Sequence, residues 1–281
     1  MFNISLPKKE MKPLINIDEL LKIRKSNNLI IVNAGNGEKS KENYEKKHLE
    51  NSIFVSLDEQ LANIEDGFSN GGRHPLPDIK KFAEVLGDLG ITKNSHIVIY
   101  DEKNGSNASA RFWWMLVAVG HEKVQILNGG IQEAERRDFP MSSSSRKIAK
   151  AEPYKVTHWK LGTIEIKQIE NILEDRRYII IDVREAKRYN GEIEPIDLIA
   201  GHIPNAVNVP FTENLDEDGF FLSQEELKLK YQKIFRGFKA ENIVVHCGSG
   251  VTACHTLFAI ALAGLEIPKT VCRLVERMEQ E

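Results

Sequence analysis

Residues 242–265 read NIVVHCGSGVTACHTLFAIALAGL. A β-branched apolar run, Ile243–Val245, ends at His246-Cys247. Gly248-Ser249-Gly250 follows, and a helical pattern then runs from Val251 to Leu262, ahead of Gly264. Strand, glycine loop and helix in this order are the repeating unit of a parallel α/β sheet. Such sheets bind ligands at the carboxyl ends of their strands, where Cys247 stands. Two glycines let successive backbone N–H groups turn inward as an anion nest, and the helix N-terminus adds unsatisfied N–H groups and partial positive charge. Both favour thiolate over thiol. The Ser249 and Thr252 hydroxyls can donate to the same centre. A cysteine so placed is a nucleophile that can carry a persulfide as a stabilised anion. The competing reading is a buried structural cysteine, the usual fate of a lone one. A phosphatase loop of similar layout needs a guanidinium six residues after the cysteine to clamp a phosphoryl dianion. Here that residue is Ala253, and Cys247–Thr252 contains no Arg or Lys.

Outward from this segment the chain repeats itself. Residues 17–34 match 166–183, His48–Val55 matches His202–Val209, and His96–Asp101 matches Asn242–Cys247, at offsets of 149, 154 and 146. Three blocks in one order with a drifting offset indicate a duplicated domain. At about 150 residues per domain, 281 residues also make two. The serine run Ser142–Ser145 and the polar stretch after it read as a linker. The expected division is residues 1–141, linker 142–158, and 159–281. In the first half Leu29–Val32, Ile53–Val55, Ile97–Tyr100 and Val124–Leu127 read as buried strands. Pro77–Leu89 and Ala108–Val119 read as helices, and Ser223-Gln-Glu-Glu226 has the capping-box form that opens another. The fold class is α/β: two domains, each a mostly parallel sheet flanked by helices. The apolar content suffices for two cores.

Composition narrows the function. The formal net charge of −3 lacks the basic footprint of a nucleic-acid or anionic-membrane binder. Three cysteines point to a reducing compartment rather than a disulfide framework. The longest apolar runs, Phe112–Gly120 and Leu257–Leu265, are nine residues each, too short for a membrane span of about 20. No targeting pattern is visible at the N-terminus, so a soluble, cytoplasmic protein is expected. Cys254, two helical turns past Cys247, reads as core. Cys272 lies in the charged end of the chain and reads as exposed and oxidisable, and neither spacing is a metal site.

The cysteine loop closely resembles that of tandem-domain sulfurtransferases of the rhodanese / 3-mercaptopyruvate sulfurtransferase family. Further matching motifs cover nearly the whole chain in the family's order: Gly72-Arg-His-Pro-Leu-Pro77, Trp113-Trp-Met-Leu116, Ile181-Asp-Val-Arg-Glu-Ala-Lys-Arg-Tyr-Asn-Gly191, and Ala200-Gly-His-Ile-Pro204 with Ala206-Val-Asn208. The resemblance implies two rhodanese-like domains, the first non-catalytic and the second catalytic. The repeat agrees, because Asp101 takes the place of Cys247 in the first half, and aspartate carries no transferable sulfur. Carried over residue by residue, Cys247 accepts the sulfur, Gly248, Ser249, Gly250, Val251 and Thr252 cradle it, and Arg188 binds the anionic donor. Asp58, His74 and Ser249 match a set that assists proton transfer, although interface hydrogen bonding explains Asp58 and His74 equally well. Arg73 reads as a surface charge or an interface ion pair, Arg184 as an ion pair bracing the loop, and His246 as a satisfied core histidine.

No metal or organic cofactor is implied. The expected partners are a small anionic sulfur donor and a cyanide, thiol or thioredoxin-like acceptor, with the protein a monomer. A non-turnover sulfur carrier is the alternative. Two departures bear on this. The family's second donor-binding arginine, before Gly201-His-Ile-Pro204, is missing, with Ile196 near its place. This leaves the donor open between mercaptopyruvate and thiosulfate. The end of the chain, from about Lys269, is charged and lacks tryptophan, so the loss of one sheet strand and poor order from about residue 270 are expected.

Overall fold

The computed structural model describes residues 11–64, 73–106, 108–196 and 200–271. The first half contains β1 (Leu14–Ile15), α1 (Ile17–Ile23), β2 (Leu29–Gly35), α2 (Gly37–Lys46), β3 (His48–Leu49), β4 (Ser52–Ser56), α3 (Leu57–Gln60), α4 (Ile79–Asp88), β5 (His96–Tyr100), α5 (Ala108–Ala118), β6 (Val124–Leu127), α6 (Gly130–Arg136) and β7 (Met141–Ser142). The second contains β8 (Thr163–Ile164), α7 (Ile166–Glu170), β9 (Ile179–Asp182), α8 (Ala186–Tyr189), β10 (Val207–Asn208), α9 (Gln224–Phe235), β11 (Ile243–His246), α10 (Val251–Leu262) and β12 (Lys269–Val271).

Each half builds one parallel five-stranded sheet. The orders are β1-β6-β5-β2-β4 and β8-β12-β11-β9-β10, the same topology twice. β12 takes in the second sheet the place of β6 in the first, between β8 and β11. The strand expected to be lost is therefore present. Thr270 and Val271 pair with Thr163 and Ile164, and the charged character of the chain's end does not reach these two buried, uncharged positions. Residues 272–281, on which the expectation of poor order and Cys272 fall, lie outside the described residues.

Side-chain alternation splits each sheet between two faces. Leu29 and Ile31 of β2 face one cluster with Leu20, Leu49 and Phe139, while Ile30 and Val32 face another with Phe82, Phe112 and Trp114. Likewise Ile180 and Val244 face outward, and Ile179, Ile181, Ile243 and Val245 face inward. The two inward faces do not form separate cores. They share one, because α5 and α10 lie against each other between the sheets, with Trp113 meeting Phe258 edge-on at 4.9 Å. Both helices are buried around nearly their whole circumference, which fits their lack of a polar face.

Local signals operate as expected. Ser223 Oγ accepts the Glu226 N–H at 3.3 Å and the Glu226 carboxylate accepts the Ser223 N–H at 3.0 Å, closing a capping box on α9. Asp78 caps α4. Beyond β7, which pairs with β3, the linker stretch is tied to the first half: Ala151 N–H donates to Gly87 O and Tyr154 N–H to Ala83 O, each at 2.9 Å. Among the described residues no helix is long and apolar enough to cross a membrane.

Candidate active site

β11 delivers Cys247 to the carboxyl edge of its sheet, and α10 begins four residues later. Gly250 precedes the helix with φ 77°, a left-handed conformation that Gly adopts without penalty. Cys247 is 3% exposed, and its Sγ accepts the Ala253 N–H at 3.4 Å. The sulfur thus sits over the first turn of α10, where amides have no intrahelical acceptor. The donor is an amide one residue beyond the expected Gly248–Thr252 cradle, a position that loop spacing alone does not reveal.

Above the sulfur lies a cleft of about 510 Å³ between the two halves. The first half contributes Asn36, Leu57, Arg73 and His74. The second contributes Arg184, Glu185, Arg188, Pro195, Ile196, Phe211, Cys247, Gly248, Ser249, Val251 and Thr252. Of the expected residues, Cys247, Gly248, Ser249, Val251, Thr252, Arg188 and His74 meet here. Gly250 shapes the turn without lining the cleft, and Asp58 stands behind His74. Asn36, Leu57, Pro195 and Phe211 were not anticipated. Asn36 follows β2, so the strand-end rule that singles out Cys247, applied to the first sheet, would have found it. A larger cleft of about 650 Å³, lined by Lys93, Lys123, Lys155 and Lys160, contains no cysteine among its described residues.

His74 Nε2 lies 3.1 Å from Asp58 Oδ1. Since a carboxylate only accepts, the ring donates from Nε2, and Nδ1 is left as the acceptor nitrogen, buried and without a hydrogen bond among the described residues. Burial pushes the His74 pKa below the ordinary imidazole range, against the pull of Asp58 and with the help of Arg111 and Arg73. His74 is thus neutral at pH 7. Arg111, fully buried in α5, holds the loop by donating from Nη2 to His74 O at 3.2 Å.

The arginines behave differently from one another. Arg184 braces the loop as expected. Its Nε and Nη2 grip Asp182 at 2.7–3.1 Å, and Nη2 donates to Gly201 O at 2.6 Å. Burial would raise the Asp182 pKa, but His246 and the Arg184 fork hold it below the ordinary carboxylate range. Arg188, expected as an open donor anchor, lines the cleft yet is already engaged: its Nε and Nη2 contact both oxygens of Glu194 at 2.7–3.1 Å. Six residues apart across a short turn, this pair has no periodicity that would reveal it. His246 is also not the satisfied core histidine expected. Nδ1 lies 3.3 Å from Cys247 O, whereas buried Nε2 finds no hydrogen bond among the described residues and stands 3.8 Å from Asp182. Burial lowers its pKa.

In the first half the equivalent loop is filled from within. Asp101 is buried, and its carboxylate accepts the N–H groups of Lys103 at 2.8 Å, Gly105 at 2.9 Å and Ser109 at 3.4 Å. Burial raises its pKa against these bonds. The anion nest survives, occupied by its own side chain.

The comparisons agree with this duplicated architecture. The Rhodanese-like domain matches twice, at residues 16–136 and 165–276. The human 3-mercaptopyruvate sulfurtransferase is 36% identical over 234 residues, covering 81% of this chain and 75% of that one. The thiosulfate sulfurtransferase of Cricetulus griseus is 33% identical over 237 residues, covering 80% and 75%. The crystal structure of SseA from Escherichia coli, described with the rhodanese fold of 3-mercaptopyruvate sulfotransferases, superposes with a TM-score of 0.77 at 28% identity, over 95% of this chain and 100% of that one. Two domain matches over most of the length, and relatives of this identity, mean that the chain belongs to the tandem-domain rhodanese family, the sulfurtransferases of the thiosulfate/3-mercaptopyruvate type.

Proposed function

We propose that Cys247 carries the transferred sulfur as a persulfide, with 3-mercaptopyruvate or thiosulfate as donor and cyanide, a small thiol or a thioredoxin-like thiol as acceptor. The observation that carries this reading is the cysteine buried at the floor of a two-domain cleft whose walls bring Arg73, His74 and Arg188 to it. With mercaptopyruvate, the Cys247 thiolate attacks the donor sulfur. An S–S bond forms, the C–S bond breaks, and its electron pair leaves as the pyruvate enolate, which takes up a proton. With thiosulfate, the S–S bond of the donor breaks and sulfite leaves. Cyanide then attacks the outer sulfur, giving thiocyanate and the free thiolate.

Thiolate attack on sulfur requires no metal. The Ala253 N–H and the start of α10 stabilise the anionic sulfur. His74, neutral and oriented by Asp58, is the group suited to move the donor's proton. The first half acts as a wall of the site, its own nest closed by Asp101. We further propose that the protein works as a monomer in a reducing, cytoplasmic setting, since both walls of the cleft come from one chain.

The test is steady-state sulfur transfer to cyanide with the two donors side by side. Turnover with either, lost in Cys247→Ser, supports the reading. Persulfide formation without multiple turnover would favour a sulfur carrier. No persulfide from a folded protein would overturn it.

A further inference from the structure

Four charged groups alternate in sign from the end of β9 into the cleft: Asp182, Arg184, Glu194 and Arg188. Glu194 stands between Arg184 and Arg188, two of the three arginines that line the cleft, with Arg73 the third. Arg188 gives it four contacts at 2.7–3.1 Å, and Arg184 Nη1 adds one at 3.5 Å. The Glu194 side chain is only 5% exposed, so solvent and salt screen it weakly.

Two consequences follow for an anion entering the cleft. The Nε–Nη2 edge of Arg188, which reads a carboxylate or sulfonate bidentately, is held by Glu194. The field of the arginine pair is also reduced by one full charge at close range. A third feature acts in the same sense. Glu194 Oε1 accepts the Ile196 N–H at 3.0 Å and so helps fix the turn whose apolar side chain forms part of the cleft wall. An apolar wall disfavours a second, unpaired charge.

We propose that Glu194 is a specificity-determining residue that selects monoanionic sulfur donors over dianionic ones. The inference rests on the sulfur-transfer reading above and names its substrate class: a donor with one carboxylate, such as 3-mercaptopyruvate, rather than thiosulfate with two negative charges.

The experiment compares kcat/KM for thiosulfate and for 3-mercaptopyruvate in the wild type, Glu194→Gln and Glu185→Gln. Any general loss from a misplaced Arg188 affects both donors and largely cancels in their ratio, while the charge effect does not. In Glu194→Gln the thiosulfate-to-mercaptopyruvate ratio is expected to rise about tenfold. Glu185 lines the same cleft but is exposed, so its replacement should move the ratio less than about twofold. A ratio unchanged in Glu194→Gln, or moved equally by Glu185→Gln, overturns the proposal.

If Glu194→Gln does not fold, the wild type decides through its salt dependence. A charge-balanced cleft predicts a weak dependence of kcat/KM for thiosulfate on ionic strength, and a steep fall refutes it. If neither donor turns over, the sulfur-transfer reading fails separately. Calorimetric binding of sulfate against pyruvate then tests the charge selection alone. A gain of about tenfold for sulfate relative to pyruvate in Glu194→Gln supports it, and no gain overturns it.

Discussion

His255 supplies a measurable pH dependence of stability close to the catalytic loop. It lies on α10, eight residues after Cys247, and is fully buried. Its ring stacks on Phe221 at 4.7 Å and meets Phe211 edge-on at 5.6 Å. The Asn214 carbonyl is occupied by the Tyr231 hydroxyl and Lys230, so its amide nitrogen faces His255 Nδ1 at 3.4 Å. An amide nitrogen only donates, which makes Nδ1 the acceptor and places the proton on Nε2, buried and without a hydrogen-bond partner among the described residues. Protonating Nδ1 would set two donors against each other. Burial, with Lys230 adding to it, pushes the pKa down to about 3.

The folded value lies below the unfolded one of about 6.5, so the native state binds fewer protons between them. Stability is therefore unaffected above pH 6.5 and falls as the pH drops toward 3. At pH 5 the loss from this one group is about 2 kcal/mol, from roughly 1.4 kcal/mol per pH unit below 6.5. His255→Phe keeps the aromatic shape and removes the unpaired N–H, so at pH 7 its stability should stay within about 1 kcal/mol of the wild type. Urea unfolding followed by tryptophan fluorescence at pH 7 and pH 5 measures both. His74, His96, His121 and His246 are also shifted downward and contribute a slope to both proteins, so the difference between the two isolates His255. Equal losses on acidification in wild type and variant would refute the reasoning.

Replacing Cys247 by Ser should abolish sulfur transfer and the gain of one sulfur atom in intact-mass spectra after exposure to donor, while the far-ultraviolet circular dichroism stays unchanged. Gly250→Ala forces a side chain into the left-handed region and should cost about 1–2 kcal/mol, with a larger proportional loss of activity because the loop under Cys247 shifts; thermal melts and turnover check the two separately. Phe258→Ala removes a ring packed on Trp113 and Phe221 and should cost about 3–5 kcal/mol in chemical denaturation, since the seam it leaves is shared by both halves. Both halves should then unfold in one less stable transition; loss of only the second half would show that the core is not shared.

Much of this molecule was legible along the chain, because the signals are local. Apolar β-branched runs mark the strands, Ser223 and Glu226 close a cap three residues apart, and Cys247 between a strand and a glycine turn marks the reactive edge. The repeated blocks predicted two like sheets, and the orders of the ten parallel strands match. Contacts between distant segments were not legible. That α5 and α10 merge two expected cores into one depends on how two helices without a polar face meet across the sheets. That Asn36, Leu57 and Phe211 reach the cleft depends on the same docking. The state of Arg188 is the clearest case. Sequence identifies the guanidinium, but whether it is open to an anion is decided by a carboxylate brought beside it by a turn. An interaction of that kind depends on distance and burial, which residue order alone does not specify.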